Sequence, residues 1–159
     1  MLSLDTTNTT EARNANLKKL ADYLLAIPED YTQFHMDDFC SYHSKQSSSV
    51  LAKPFEATHA LTQCGTVACA LGHGPAAGIE PRFDESWRTY AMRCFIPPSG
   101  FNSYEYQFIF GAEWSIVDNT PQGAAKRILF YLKNGIPDDF HGMWTGDTPL
   151  YYLEETSDS

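Results

Sequence analysis

Residues 120–137 leave the chain little choice of local structure. Thr120 offers a side-chain oxygen to an incoming helix, and Pro121 has the fixed φ that suits the first helical position. Ala125, Ile128, Leu129 and Leu132 then recur at helical spacing, Gly135 stops the run and Pro137 prevents its continuation. A helix with one apolar stripe must bury it, so its partners are the next thing to find. Leu17, Leu20, Ala21, Leu24 and Leu25 supply one, with Asn8 and Glu11 in the form of a capping box and Pro28 closing the run. Asn14, Lys18, Lys19 and Asp22 cover its opposite face. Trp87, Tyr90, Ala91, Cys94 and Phe95 supply another, starting near Asp84 and ended by Pro97 and Pro98; Arg88 and Arg93 fall on its solvent side. A shorter helix is expected over 36–43, where Met36, Phe39, Cys40 and His43 share a face.

These patterns predict a mainly α-helical, compact single domain of five or six helices spanning the chain, with residues 1–8 and 154–159 as flexible termini. One stretch is open. Tyr104, Tyr106, Phe108 and Phe110 alternate with Glu105, Gln107 and Ile109, which suits a strand returning through Gly111 as a small hairpin near 104–117. The same residues suit a short buried helix, and periodicity alone does not arbitrate at this length. Residues 44–58 read as a loop that Val50, Leu51 and Phe55 pin back onto the core, and Phe140, Trp144, Leu150, Tyr151, Tyr152 and Leu153 dock the tail on the body.

With 43% hydrophobic residues the chain has the means to build a packed interior, and no window approaches the ~20 apolar residues of a membrane span. The first ten residues lack a basic start and an apolar core, so no secretory signal is read and the expected location is cytoplasmic. Eleven basic against twenty acidic residues give a formal charge of −9, which argues against direct nucleic-acid binding. That charge suits a basic partner surface, and it also serves solubility.

Chemistry concentrates in 64–74, where Cys64, Thr66, Cys69 and His73 fall on what reads as one slim helix capped by Thr66. A thiol at Cys64 would feel the positive helix end, which favours thiolate. A nucleophile also needs a base, and His73 is badly placed: nine helical residues separate the two by about 13 Å. His35, His43, His59 and His141 are the remaining candidates, and nothing local nominates one. Zinc is not expected from His59, Cys64, Cys69 and His73, because their spacings do not converge on one helix. The simpler reading is packing: Cys64, Ala68, Cys69, Ala70, Gly72, Ala76 and Ala77 are all small, so neighbouring helices approach closely and Trp87, Tyr90, Phe95 and Phe108 fill in around them. His73, near the helix end, would gain from being protonated there. Of the other cysteines, Cys40 and Cys94 are left with pairing open.

The order of a leading helix closed by proline, the patch Phe34-His35-Met36-Asp37-Asp38-Phe39, the stretch from Cys64-Gly65-Thr66 to Cys69 and His73, and the closing helix from Thr120 to Ile128 resembles a widespread set of small phage and bacterial proteins. The common form of the patch carries Asp where this chain has His35. The resemblance implies a phage or prophage setting and assigns no site.

Taken together, the expected function is that of a non-enzymatic binding protein, phage-encoded, acting on a host protein or a host-derived small ligand, with inhibition of host defence as the specific case. The binding residues expected are Cys64, Thr66, His73, Trp87 and Trp114, with no metal and no cofactor. Two alternatives stand beside it. One is a hydrolase or transferase with Cys64 as nucleophile. The other is a structural homo-oligomer using exposed Trp114, Trp144 and Tyr151.

Overall fold

Two amphipathic helices distant in sequence lie against each other and set the frame. The structure is a computed structural model that describes residues 10–28, 31, 33–36, 41–43, 48–50, 53–57, 66–96, 104–137, 139–150 and 152–155. Helix α1 (Thr10–Leu25) turns Leu17, Leu20, Ala21 and Leu24 inward, and α5 (Pro121–Asn134) meets it with Ala124, Ala125 and Ile128. Small residues on α5 let the backbones come close. Gln122 Nε2 donates to Ile27 O at 2.7 Å and fixes the register where α1 ends. The expected termini of α5 form: Thr120 Oγ1 accepts from Gly123 N–H at 2.9 Å, and Gly135 takes φ +78° after the last turn.

Helix α3 (Trp87–Cys94) begins at Ser86, whose hydroxyl accepts from Thr89 N–H, two residues beyond the expected start near Asp84. Its last carbonyls are capped from α1: Arg13 Nε donates to Met92 O at 2.8 Å and Asn16 Nδ2 to Cys94 O at 3.0 Å. Arg93 does not face solvent as its position suggests. It is buried, with Nε and Nη2 on Glu85 Oε2 and Oε1 at 2.6 and 2.8 Å. Burial pushes the Glu85 carboxyl up, but its bonds from Arg93 and Arg82 N–H, and both arginine charges, hold it below the ordinary range.

Residues 104–117 are helical, so the hairpin does not form. Helix α4 (Tyr104–Phe110) buries Phe108, Ile109 and Phe110 in succession, a pattern no half-buried strand allows. A 3-10 helix (Ala112–Ile116) follows and sends Trp114 Nε1 back to Phe108 O at 2.9 Å. Phe108 then sits edge-to-face with Trp114, Phe130, Phe140 and Tyr152, so α4, α5, α6 (Phe140–Thr145) and α7 (Tyr152–Glu155) share one aromatic cluster. The tail docks through Phe140, Met143 and Tyr152.

The molecule is mainly α-helical, with a small antiparallel sheet in the order β2-β1-β3: β1 is Ser41–His43, β2 Ser48–Val50 and β3 Thr66–Val67. The helix expected over 36–43 is therefore strand at its end; Phe39 and Cys40 lie outside the described residues. The sheet extends through Ala68, which donates to Gln33 O and accepts from His35 N–H at 3.0 Å each. Short α2 (Pro54–Ala57) carries Phe55, which is not pinned to the core: it is 47% exposed.

A Cβ on Gly123 would stand 2.0 Å from Asp118 Oδ2, closer than atoms can approach. Alanine is the better helix former by about 1 kcal/mol, yet Gly123→Ala must push the Asp118 carboxylate off its partners. We expect a net loss of about 1–3 kcal/mol, read from the urea midpoint; a higher midpoint would show that Asp118 moves aside freely.

Candidate functional site

The imidazole predicted as a site residue is enclosed. The segment that reads as one helix from 64 is a strand at Thr66, so Thr66 caps no helix there; the backbone coils only from Ala70, through a 3-10 turn at Leu71–His73. His73 is fully buried, with Nδ1 2.7 Å from Cys69 O and Nε2 2.8 Å from the Tyr31 hydroxyl. A carbonyl can only accept, so Nδ1 carries the proton; Nε2 of the neutral ring then accepts from Tyr31 O–H. Tyr31 and Phe34 pack against the ring at 5.6 and 5.4 Å. Burial pulls the His73 pKa down to about 4, against the pull of the Cys69 carbonyl. His73 is thus held neutral, the reverse of the protonated helix-end histidine expected from its position.

Tyr31, His73 and Cys69 O have the connectivity of a nucleophile, base and orienter. Burial lowers the basicity of the His73 ring, which makes it a weak base towards the Tyr31 hydroxyl. The pair joins the segment at Tyr31 to the 3-10 turn.

A denser polar cluster is built around the middle of α5. Arg127 is completely buried, and its Nη1 reaches Tyr152 Oη at 3.0 Å and Asp118 Oδ2 at 3.3 Å. Tyr152 O–H donates to Asp118 Oδ2 at 2.7 Å, and Thr120 O–H donates to Asp118 Oδ1 at 2.8 Å. The guanidinium lies 4.3 Å over the Trp114 ring and 5.4 Å from that of Tyr152. Burial lowers the Arg127 pKa; Tyr152 and Asp118 oppose it. Burial likewise drives the Tyr152 hydroxyl well above the ordinary phenol range, so it stays a donor. Sequence reasoning missed this cluster. The available signal was spacing: Arg127 is three residues after Ala124 and four after Gly123, inside the apolar stripe.

Two exposed aromatic rings meet on the surface. Phe83 is 72% exposed and meets Phe55 edge-to-face at 5.1 Å, the two rings coming from segments separated by β3. Tyr104 and Ile116 are also exposed.

The expected binding residues whose side chains are described, His73, Trp87 and Trp114, do not form one site. Trp87 is buried against Tyr90, Trp114 is fully buried with its N–H on backbone carbonyls, and His73 lies in its own box. Trp114 therefore cannot serve as an exposed oligomer contact. Trp144 is half-buried, and Cys64, His59 and Tyr151 lie outside the described residues. Cys69 and Cys94 are buried thiols; His35 is exposed, and His141 stacks on Phe140 at 4.1 Å. Among the described residues no three His, Cys, Asp or Glu side chains gather as metal ligands, and no helix is long and apolar enough to cross a membrane. No family model, curated protein or solved structure matches this chain.

The neutral His73 carries a pH dependence. Its folded pKa lies below the unfolded value, so the unfolded chain takes up a proton that the folded one refuses. Its contribution is complete above about pH 6.5 and is lost as pH falls towards about 4, up to about 3 kcal/mol in all. Denaturation midpoints measured at pH 7, 6 and 5 should fall in wild type and fall less in His73→Gln; parallel slopes would remove His73 as the cause.

Proposed function

We propose that this protein acts by binding a protein partner, with the exposed Phe55–Phe83 pair as the anchor of the contact. The observation that supports this is the pair itself. An apolar ring exposed to 72% is costly in water, and scattered single exposures are ordinary, but two aromatic rings held against each other form a shaped knob. Rings already fixed by mutual contact lose little rotamer freedom on docking, which is where much of an interface's cost lies. Buried aromatic anchors of this kind carry a large share of binding energy.

The interior supports the same reading from the other side. His73 and Cys69 of the 64–74 segment are buried, and burial leaves His73 a weak base towards the Tyr31 hydroxyl it meets. A net charge of −9 favours a partner with a basic rim and accelerates its approach. With the resemblance to phage and bacterial proteins, the partner is a host protein met in the host cytoplasm, and interference with a defence function is the natural purpose of such contact.

The test is affinity capture from host lysate with wild type and the Phe55→Ser/Phe83→Ser double variant. Wild type should retain a partner that the variant retains about thirtyfold less tightly, the effect of losing about 2 kcal/mol at an interface anchor. The variant's own melting temperature should stay within experimental error, since both rings lie outside the core. Equal capture by the two proteins would refute the assignment.

A further inference from the structure

Arg93 and Arg127 are both buried guanidinium groups, and the first shows what the second lacks. Arg93 turns Nε and Nη2, the two nitrogens of its side-on edge, onto both oxygens of Glu85. Arg127 presents the same two nitrogens, buried, with no hydrogen-bond partner. Both of its polar contacts use Nη1, at the opposite end. One N–H on Nε and two on Nη2 are therefore left without acceptors in a region closed to water. Buried donors are almost always satisfied, and one left bare calls for an acceptor not yet named.

We propose that the Nε/Nη2 edge of Arg127 is a binding site for a small oxyanion, a carboxylate or phosphate group held by two parallel hydrogen bonds. Those two nitrogens match the oxygen spacing of such a group, the same match that Arg93 makes with Glu85. The edge is pre-organised. Trp114 lies against the flat face of the guanidinium at 4.3 Å, while Asp118 and Tyr152 hold the far end, so the fork cannot swing to find another acceptor. Asp118 leaves charge to spare: its contact with Arg127 is long, at 3.3 Å, and its oxygens also serve the hydroxyls of Tyr152 and Thr120. Among the described residues the other unsatisfied buried side-chain donor, Trp144 Nε1, belongs to a ring packed 5.6 Å from the same Trp114. We take local opening of α7, the four-residue helix that packs on α5 and carries Tyr152, as the route of entry.

The test follows the Arg127 Nε–H signal by NMR in the intact ¹⁵N-labelled protein, assigned through its side-chain connectivity. Sodium phosphate and sodium acetate are titrated separately against chloride at constant ionic strength. The Arg127 signal should move saturably with at least one of them while that of Arg93 stays fixed; phosphate alone points to a phosphorylated ligand, acetate to a carboxylate. Arg127→Lys should weaken the anion about ten- to a hundredfold, as loss of a charge-assisted bidentate contact does. If that variant fails to fold, Trp144→Phe provides the second readout, with weaker but measurable binding. An Arg127 signal unmoved by both anions overturns the site.

Discussion

A guanidinium cannot shed its charge at any ordinary pH, so Arg127 brings a permanent positive charge into the middle of α5, and much of the structure is organised around holding it. Its partners come from separate places: Asp118 from the loop before α5, Trp114 from the 3-10 helix and Tyr152 from α7. Each depends on something further. Asp118 is seated against the bare Cα of Gly123 and braced by the Thr120 cap. Trp114 hangs from two α4 carbonyls, and Tyr152 packs on Phe108. Buried ion pairs are seldom net stabilising, but losing one partner strands the other charge, which makes the arrangement specific.

The capped, periodic helices were legible. In α1, α3 and α5 local preference and tertiary packing agree, so Leu17, Tyr90 and Ile128 are buried where spacing puts them. Elsewhere they diverge. Thr66 suits a helix cap and a strand alike, and what decides is pairing with β1, about two dozen residues earlier in the chain. Residues 104–110 alternate like a strand, but the cluster around Phe108 needs three consecutive buried side chains, which only a helix enclosed by neighbours supplies. Arg93 and Arg127 were illegible as buried charges, because Arg93 falls on the side of α3 that reads as solvent-facing and an arginine on an apolar stripe, like Arg127, usually extends its charge to water. Arg93 found Glu85, and Arg127 found an indole face.

Of the residues the sequence nominated, His73, Trp87 and Trp114 are buried. His73 seals a box between α1 and the sheet extension, and Trp87 and Trp114 are core. The sequence pointed to unusual residue types, and unusual types also serve packing. The exposed feature, Phe83 with Phe55, carried no local signal, since a phenylalanine in either loop reads as an anchor to the interior.

The element that closes the cluster comes late. Tyr152 lies 25 residues beyond Arg127, so a chain truncated before α7 keeps the whole of α5 and loses part of its cover. The charged, aromatic hollow around Arg127 then opens towards solvent. Truncated chains would differ from intact ones in this hollow first, giving proteases and chaperones a local mark of incompleteness.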